Sequence, residues 1–406
     1  MKSDESRPSH VSGEARFDAR WWAVAMVWSI VALRVAAELV GHGHHLWHHD
    51  LNLLFREEGS FYRGVYPAIE VAGGDMTEAV RSDYPPFSFV LMMPWVPPGL
   101  GWRATEVWFV TCQLAATLLL AGVAYRRGRA VGRGAGWLLA GSLLALTGLR
   151  ADWLFGNLAT LMTAVLVLML LAVERGRWGW AGAAWVASVL KPQMGWLFGW
   201  FFIARGRWRV VLAVSTTLAM MSLAACWWTG VSPVDVVRSA YSDRVTTMAL
   251  QAERHNLVSL LGQFGMSSDT AVIVAALAGV LAAALGLRYR FSGSEVLTQF
   301  AFVGAVNRIC TYHNACDDLL LGFALLVIGR HAWRTRAGEA WGMFFLLGGS
   351  VWTPTRAWQW PGANATIVGI WIVVAGWLWL RARELQSAGE ESSATNMRQA
   401  RADRRE

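Results

Sequence analysis

Residues 270–288, TAVIVAALAGVLAAALGLR, form an apolar stretch with a single charged residue at its very end. A helix needs roughly 20 mostly apolar residues to cross the hydrocarbon core of a bilayer. Every backbone polar group in lipid must be paired within the protein, so repeated stretches of this kind predict a helical bundle. Apolar runs recur at about 22–41, 105–125, 134–149, 156–173, 178–190, 193–204, 209–228, 295–309, 318–330, 339–352 and 364–381. The sequence therefore predicts an all-α, polytopic membrane bundle of about twelve transmembrane helices.

The composition agrees with a membrane protein. Of the 406 residues 55% are hydrophobic and only 16% are charged, whereas soluble proteins carry about 25% charged residues. The 25 Trp residues are typical of membrane interfaces, where the amphipathic indole ring lies at headgroup level. The net charge of +8 comes from short Arg blocks between apolar runs. Such blocks are typical of cytoplasmic loops, and we predict no nucleic-acid partner.

The positive-inside rule assigns these basic blocks to the cytoplasm, with both termini inside. The blocks are Arg126–Arg133, Arg175–Arg177, Arg205–Arg209, Arg288–Arg290 and Arg330–Arg336. Residues 86–98, PFSFVLMMPWVPP, are too short to span comfortably and contain four prolines, which disrupt helix interiors. We predict an interfacial or re-entrant segment there.

This topology defines a large first external region at about 42–104 and a second at about 229–269. We treat residues 1–386 as one transmembrane domain. Residues 387–406 are charged and lack aromatic residues, so we predict a disordered cytoplasmic tail. The protein is expected to be a multi-pass protein of a bacterial plasma membrane, with its functional surface outside.

Histidines are concentrated at the start of the first external region, between His42 and His49. His45, His48 and His49 have the i, i+3 and i, i+4 spacing that can share a metal ion on a helix. No Cys lies nearby, and an interfacial polar patch is the favoured alternative, so we predict neither a metal nor a cofactor. Whether Cys310 and Cys316 pair is left open.

Asp50 follows these histidines at the predicted membrane edge. A carboxylate there can accept a proton from a hydroxyl nucleophile within hydrogen-bond reach; alternatively, it only caps a short external helix. Glu57 and Glu58 compete with it for the role of base. Both follow Arg56, which can neutralise them, and Asp50 lies closer to the first span. We therefore prefer Asp50 as the base.

Several short motifs, taken in order, resemble the GT-C class of membrane-embedded glycosyltransferases. More narrowly, they are similar to the polyprenyl-phosphate-mannose-dependent mannosyltransferases of glycosyltransferase family 87. The resemblance covers roughly residues 22–335, and Asn157 replaces the Gln of the family's Gly-Gln-x-Asn. The motifs are SDYPPF at 82–87, GNL at 156–158, VLKP at 189–192 with RGRWR at 205–209, and CTYHNACDD at 310–318.

This resemblance implies a GT-C-like arrangement and a sugar donor carried on a polyprenyl monophosphate. The sugar, a hexose and by family mannose, would be transferred with inversion to a hydroxyl of an external glycolipid or glycan. The family's base is an Asp on the first external loop, which corresponds to Asp50. A lipid monophosphate needs less charge neutralisation than a nucleotide diphosphate, so cationic side chains can suffice without a metal.

We expect the substrates to contact residues from several external segments. Lys191 lies between apolar runs, where an ionisable residue indicates a functional site, although its side chain could instead extend to the interface. Arg150 could pair with Asp152, and the segment of Arg254 and His255 could be a solvated loop. His313 and Asp317 could equally form structural pairs instead of contacting a substrate. The predicted substrate-binding residues are Lys191, His313, Asp317, Tyr84, Asn157, Arg150, His255 and Glu58.

Two other classes of protein stay open at this point. A lipid-linked saccharide transporter or flippase would need a cavity accessible from both faces, yet the sequence has no repeated halves and few charges inside spans. A non-catalytic membrane subunit would use the external loops for docking. A sugar-transfer assay separates both from an enzyme.

Overall fold

The structure is a computed structural model that describes residues 20–40, 49–67, 84–236, 255–311, 315–358, 360 and 362–402. For residues 37–40, 355–356 and 386–402 it describes only the backbone. His42, His44, His45, His48, Arg254 and His313 lie outside the described residues, so their predicted roles stay predictions.

Regular structure in the described residues is helical throughout, which confirms the all-α class. Three 3-10 segments (Trp196–Phe198, Ala315–Leu321, Thr355–Trp358) and a π-helical turn (Gly286–Arg290) supplement the α-helices. The α-helices are α1 (Arg20–Val40), α2 (His49–Tyr62), α3 (Pro86–Met92), α4 (Trp102–Arg129), α5 (Arg133–Leu144), α6 (Thr147–Phe155), α7 (Ala159–Glu174), α8 (Trp178–Ser188), α9 (Pro192–Gly195), α10 (Gly199–Ala204), α11 (Trp208–Thr229), α12 (Leu257–Gln263), α13 (Ser268–Leu285), α14 (Val296–Cys310), α15 (Gly322–Thr335), α16 (Gly338–Trp352) and α17 (Ala363–Ala402).

Four helices in the described part are long and apolar enough to cross a membrane, namely Trp102–Arg129, Trp208–Thr229, Ser268–Arg290 and Ala363–Leu385. A fifth span results if α5 and α6, which meet at a 45° bend, are counted together. Large apolar side chains such as Leu118, Met220 and Leu277 point outward from these helices, as expected for surfaces that face lipid. The protein is thus a multi-pass membrane protein, while the count of about twelve spans stays a prediction.

Two segments for which the sequence made a prediction can be compared with the helices of the structure. Residues 86–98 contain only the short helix α3, which begins with Pro86 at its first position, where proline's missing N–H costs nothing. The segment is therefore not a continuous span, as predicted. The backbone of α17 is helical as far as Ala402, through most of the segment that its composition predicted to be disordered.

The centre of the bundle is formed by α7 and α14. Almost every residue of α7 is buried, and all residues of α14 from Leu297 to Cys310 are buried. A helix that is buried on all sides belongs to the core of a bundle and is stable only when other helices surround it. Helices α4, α8 and α15 pack around this pair.

The helices next to this centre are interrupted where the sequence requires it. Gly156 has φ +68°, a conformation that residues with a Cβ rarely adopt, and it ends α6. Pro192 keeps the preceding Lys191 extended, at φ −103° and ψ 91°, because its ring disfavours the helical region for that residue. At Gly148, a Cβ would lie 2.8 Å from the Ala315 carbonyl oxygen, so glycine lets α6 approach the 3-10 segment closely. These interruptions bring loops, rather than helix sides, together at one end of α7.

The other end of α7 and α14 carries a network of ion pairs. Glu295, just before α14, accepts a 3.0 Å hydrogen bond from Arg330 and lies 3.7 Å from Arg127. Arg127 also pairs with Glu174, the last residue of α7, and Arg205 donates to Gln299 at 3.0 Å. Three basic blocks predicted to be cytoplasmic therefore contribute to one end of the bundle.

Candidate active site

Four polar side chains form a continuous hydrogen-bonded chain at the interrupted end of the bundle. Lys191 Nζ donates to Asp317 Oδ1 at 2.6 Å and to Asn157 Oδ1 at 2.7 Å. Asn157 Nδ2 donates in turn to Asp50 Oδ2 at 2.7 Å. These are four of the nine predicted site residues, and they come from four separate segments of the sequence. We refer to this group as the Asp50 chain.

The Asp50 chain runs from the interior of the protein to an accessible end. Asp317, Lys191 and Asn157 are 0%, 2% and 6% exposed. The side chain of Asp50 is 34% exposed. Reacting groups therefore have access to Asp50, while the residues behind it are shielded from water.

Asp50 lies in the first turn of α2, where the helix dipole favours a negative charge. Its Oδ1 lies 3.6 Å from Nδ1 of His49, and its Oδ2 accepts from Asn157. The carboxylate thus has one oxygen held by the protein interior and another on the more exposed side. Its place in the first turn of α2 is compatible with either of the two roles considered for it, so both the general base and the helix cap stay predictions.

The backbone around Asn157 is held by Asp152 and Gln113. Asp152 is fully buried, and its carboxylate accepts from the backbone N–H groups of Ala159 at 2.8 Å and Thr160 at 3.1 Å, at the start of α7. Gln113 Nε2 donates to that carboxylate at 3.1 Å and to the Asn157 carbonyl at 3.1 Å. The sequence analysis did not single out Gln113, although an amide inside an apolar run is a usable signal.

Arg150 was expected either to bind phosphate or to pair with Asp152. It is an exposed residue of α6, and the Asp152 carboxylate is engaged at the start of α7. Arg150 thus lies on the surface of α6, where it has an interaction partner, and a role in phosphate binding stays a prediction.

The positive charge of Lys191 is compensated inside the protein. Its partner Asp317 is completely buried, and a buried charge is stable only when it is paired and hydrogen-bonded. The sequence analysis predicted Lys191 as a cation available to phosphate. In the structure the Lys191–Asp317 pair carries no net charge. The pair can therefore affect a substrate only through Asn157 or through the one remaining N–H of the Lys191 ammonium group.

A second buried ion pair lies directly beside the first. Arg308 donates from Nε to Asp318 Oδ1 at 2.6 Å and from Nη1 to the His255 carbonyl at 2.6 Å. Its guanidinium also stacks 4.4 Å above the ring of Trp371. Sequence reasoning missed Arg308, which could have been found as an ionisable residue within the predicted span 295–309.

His255 is buried, at 8% exposure, so the solvated-loop interpretation is wrong for this residue. Burial, and then the nearby charge of Arg308, lower the pKa of His255 to about 4. The imidazole is therefore neutral at physiological pH. It could contact a substrate only as a neutral hydrogen-bonding group.

Glu58 is completely buried on α2, and among the described residues no group forms a hydrogen bond of normal geometry to either carboxyl oxygen. The nearby Tyr62 hydroxyl donates to the Val96 carbonyl at 2.7 Å. Burial raises the pKa of Glu58 to about 9, although the Tyr62 hydroxyl acts in the opposite direction. A carboxyl group that is protonated at neutral pH cannot serve as a general base, which favours Asp50 over Glu58.

Replacing Glu58 with Gln should stabilise the protein at alkaline pH. The pKa of Glu58 is higher in the folded state than its ordinary 4.5, so the wild type loses stability as the pH rises between these two values. Because Gln does not ionise, we expect Glu58→Gln to unfold with little change at pH 5 and to gain on the order of 2 kcal/mol at pH 8. Thermal unfolding at both pH values, with exposed Asp235→Asn as control, measures this. An equal effect at both pH values would contradict a neutral Glu58.

Tyr84 lies outside the Asp50 chain, whereas Cys316, which precedes Asp317, lies close enough to Lys191, Asp317 and Asp50 to interact with them electrostatically. The Tyr84 carbonyl accepts from the Tyr66 hydroxyl at 3.2 Å, and its role in substrate binding stays a prediction. Cys310 and Cys316 are buried free thiols. Among the described residues no group of three His, Cys, Asp or Glu side chains is arranged to hold a metal ion.

An apolar cavity lies deeper in the bundle, between α4, α5, α7 and α15. Leu149 and Leu319 line it next to the segments that carry Arg150 and Asp318, and Leu143, Val167 and Phe323 line it further in. Its wall is almost entirely hydrocarbon, and its volume of about 20 Å³ gives room for only about one water molecule.

The long apolar helices define a multi-pass membrane protein. The Asp50 chain connects the interior of its helices to an accessible carboxylate and gives it an enzyme-like polar centre. The family model of glycosyltransferase family 87 matches residues 83–310, more than half of the chain. The chain therefore belongs to glycosyltransferase family 87, which makes it a membrane glycosyltransferase and confirms the resemblance noted in its motifs.

No curated protein and no solved structure matches the chain significantly. The matched range contains Asn157, Lys191 and His255, whereas Asp50 and Asp317 lie on either side of it.

Proposed function

We propose that this glycosyltransferase moves a hexose, by family resemblance mannose, from a polyprenyl-phosphate donor to a hydroxyl of a glycolipid or glycan acceptor. In this proposal Asp50 is the general base, and the transfer inverts the anomeric configuration. The observation that carries it is the geometry of Asp50, an accessible carboxylate held by a buried polar chain.

The proposed reaction is a single displacement. Asp50 accepts the proton of the acceptor hydroxyl, and the oxygen of that hydroxyl forms a bond to the anomeric carbon. The bond from the anomeric carbon to the phosphate oxygen breaks, and the lipid phosphate leaves with the electron pair. A positioned general base contributes roughly 10²- to 10⁴-fold to such a step.

The positions of the charges support an active site on the external face. The Asp50 chain lies at the beginning of α7, and the Arg127–Glu174 pair lies at its end. Helix α7 has 16 residues and is about 24 Å long at 1.5 Å per residue. Since Arg-rich loops stay in the cytoplasm, we propose that the opposite end, with the proposed catalytic groups, faces outward, as in the predicted twelve-span topology.

The donor is proposed to lie between the Asp50 chain and the membrane. Arg150, which is exposed, and His313 are the proposed contacts of the phosphate, with Tyr84 and His255 as neutral contacts nearby.

A transfer assay with two kinds of donor tests this function. Purified protein in detergent or nanodiscs should transfer hexose from a synthetic polyprenyl-phosphate hexose to a glycolipid acceptor, and not from a nucleotide-diphosphate hexose. NMR of the product should show the anomeric configuration opposite to that of the donor. Transfer from the nucleotide sugar alone would exclude the proposed donor, and retained configuration would exclude the single displacement.

A further inference from the structure

The orientation of the Asn157 amide follows from chemistry alone. The ammonium group of Lys191 has hydrogen-bond donors and no acceptor, so the Asn157 atom 2.7 Å away from it must be the carbonyl oxygen. The amide nitrogen then has to face Asp50 Oδ2, also at 2.7 Å. Asn157 therefore presents an N–H to Asp50 as long as Lys191 is charged.

Little freedom remains for the Asn157 amide. The residue is 6% exposed, its backbone N–H donates to the Asp152 carbonyl at 3.0 Å, and its own carbonyl accepts from Gln113. The side chain thus extends from a backbone that is held on both sides. A hydrogen bond to a charged group gains strength when the donor is itself polarised by a neighbouring cation, and Lys191 polarises Asn157 in this way.

We propose that Asn157 is the positioning residue of the base: it holds one oxygen of Asp50 in place and leaves the other oxygen directed at the acceptor. Lys191 and Asp317 serve this function by orienting and polarising the amide, so Lys191 acts on the base rather than on the donor phosphate. This inference rests on the proposed role of Asp50.

Asn157→Asp is the most informative variant, because it keeps an oxygen for Lys191 and replaces the N–H that faces Asp50 with a second acceptor. The pair of carboxylates then favours a shared proton. We expect kcat at pH 7 to fall about 10- to 100-fold, the loss that corresponds to one hydrogen bond to a charged group. The acid limb of the pH–rate profile should move up by about one pH unit or more, so activity recovers partly at alkaline pH.

Other titratable groups could also affect such a profile. Helix α2 packs against α3, α4 and α6, and α3 has no charged residue. The groups on α2, on the neighbouring part of α4, on α6 and in the Asp50 chain are His49, Arg56, Glu57, Glu58, Arg103, Glu106, Arg150, Asp152, Lys191, Cys316 and Asp317. Asn157→Asp replaces none of these residues, and its new carboxylate contacts only Lys191 and Asp50 within the Asp50 chain, so a displaced acid limb reports on the contacts of residue 157.

Gln299→Leu is the matched control. Gln299 is likewise a buried amide that accepts from a cation, Arg205, and donates to backbone carbonyls, but it lies at the opposite end of α14. This variant should lower the unfolding temperature and leave the acid limb in place. A second test variant, Asn157→Ala, should lower kcat with little change in the KM for the acceptor, and unfolding curves verify that each variant is folded.

Two results distinguish the possible failures. If Asp50→Asn is inactive but Asn157→Asp and Asn157→Ala keep the wild-type acid limb and kcat, the positioning role is wrong and the base stands. If Asp50→Asn itself is active, the base assignment fails, and the inference with it.

Discussion

Asp50→Asn should lower kcat by about 10³-fold while the protein stays folded. The amide is isosteric with the carboxylate but cannot accept a proton from the attacking hydroxyl, and a positioned general base contributes roughly 10²- to 10⁴-fold. Because Asp50 is 34% exposed, its replacement leaves no unpaired buried charge. We therefore expect nearly unchanged unfolding, in contrast to variants of the residues behind it. Transfer from polyprenyl-phosphate hexose under single-turnover conditions measures the effect on the chemical step.

Asp269→Asn provides the control for this experiment. Asp269 also lies in the first turn of a helix, α13, and is exposed. It is not part of the Asp50 chain, so its variant should keep wild-type turnover. Asp50→Glu adds a further comparison, since it retains a carboxylate but displaces it by one methylene; intermediate activity is expected. Near-normal turnover of Asp50→Asn would eliminate Asp50 as the base.

Lys191→Met should be the most destabilising of these substitutions, at about 3–5 kcal/mol, because it leaves the carboxylate of Asp317 buried without its partner. Asp317→Asn is expected to cost a similar amount, since it leaves the Lys191 ammonium buried and without its counter-charge. The double variant Lys191→Met/Asp317→Asn removes both charges and should recover much of the lost stability. Thermal unfolding of the four proteins forms a double-mutant cycle that isolates the coupling between the two side chains.

Arg381 and Glu339 form a suitable comparison pair. They are joined at 2.7 Å but lie at the surface, at 35% and 50% exposure, where an ion pair contributes about 0–1 kcal/mol. If the coupling energy between Lys191 and Asp317 is no larger than that between Arg381 and Glu339, the buried ion pair is disproved. If Asn157 is polarised as inferred, the double variant should be folded yet still slow in transfer, because it lacks the cation that orients the amide.

Some residues of the site could be predicted from the sequence, and others could not. The gap between the apolar runs 178–190 and 193–204 indicated an interruption at Lys191, and a lysine between apolar runs indicated a functional residue. The position of its partner could not be inferred, because Asp317 is 126 residues further along the chain and pairing at that separation depends on how the helices pack. For Glu58 the sequence was misleading, because it made this residue a competitor of Asp50 for the role of base. Only the structure shows that Glu58 is buried on α2, where its carboxyl group is neutral.

The sequence by itself determined that this protein is a helical membrane glycosyltransferase. Lengths and spacing of apolar runs are local properties that the bilayer imposes, and the family motifs lie in single segments. The tertiary structure alone decided that Asp50 and Asn157, 107 residues apart, share a hydrogen bond, and that Lys191 is neutralised by Asp317. Such contacts arise where Gly156, Pro192 and the 3-10 segment interrupt separate helices at the same end of the bundle. Their energies depend on burial, which no short stretch of sequence specifies.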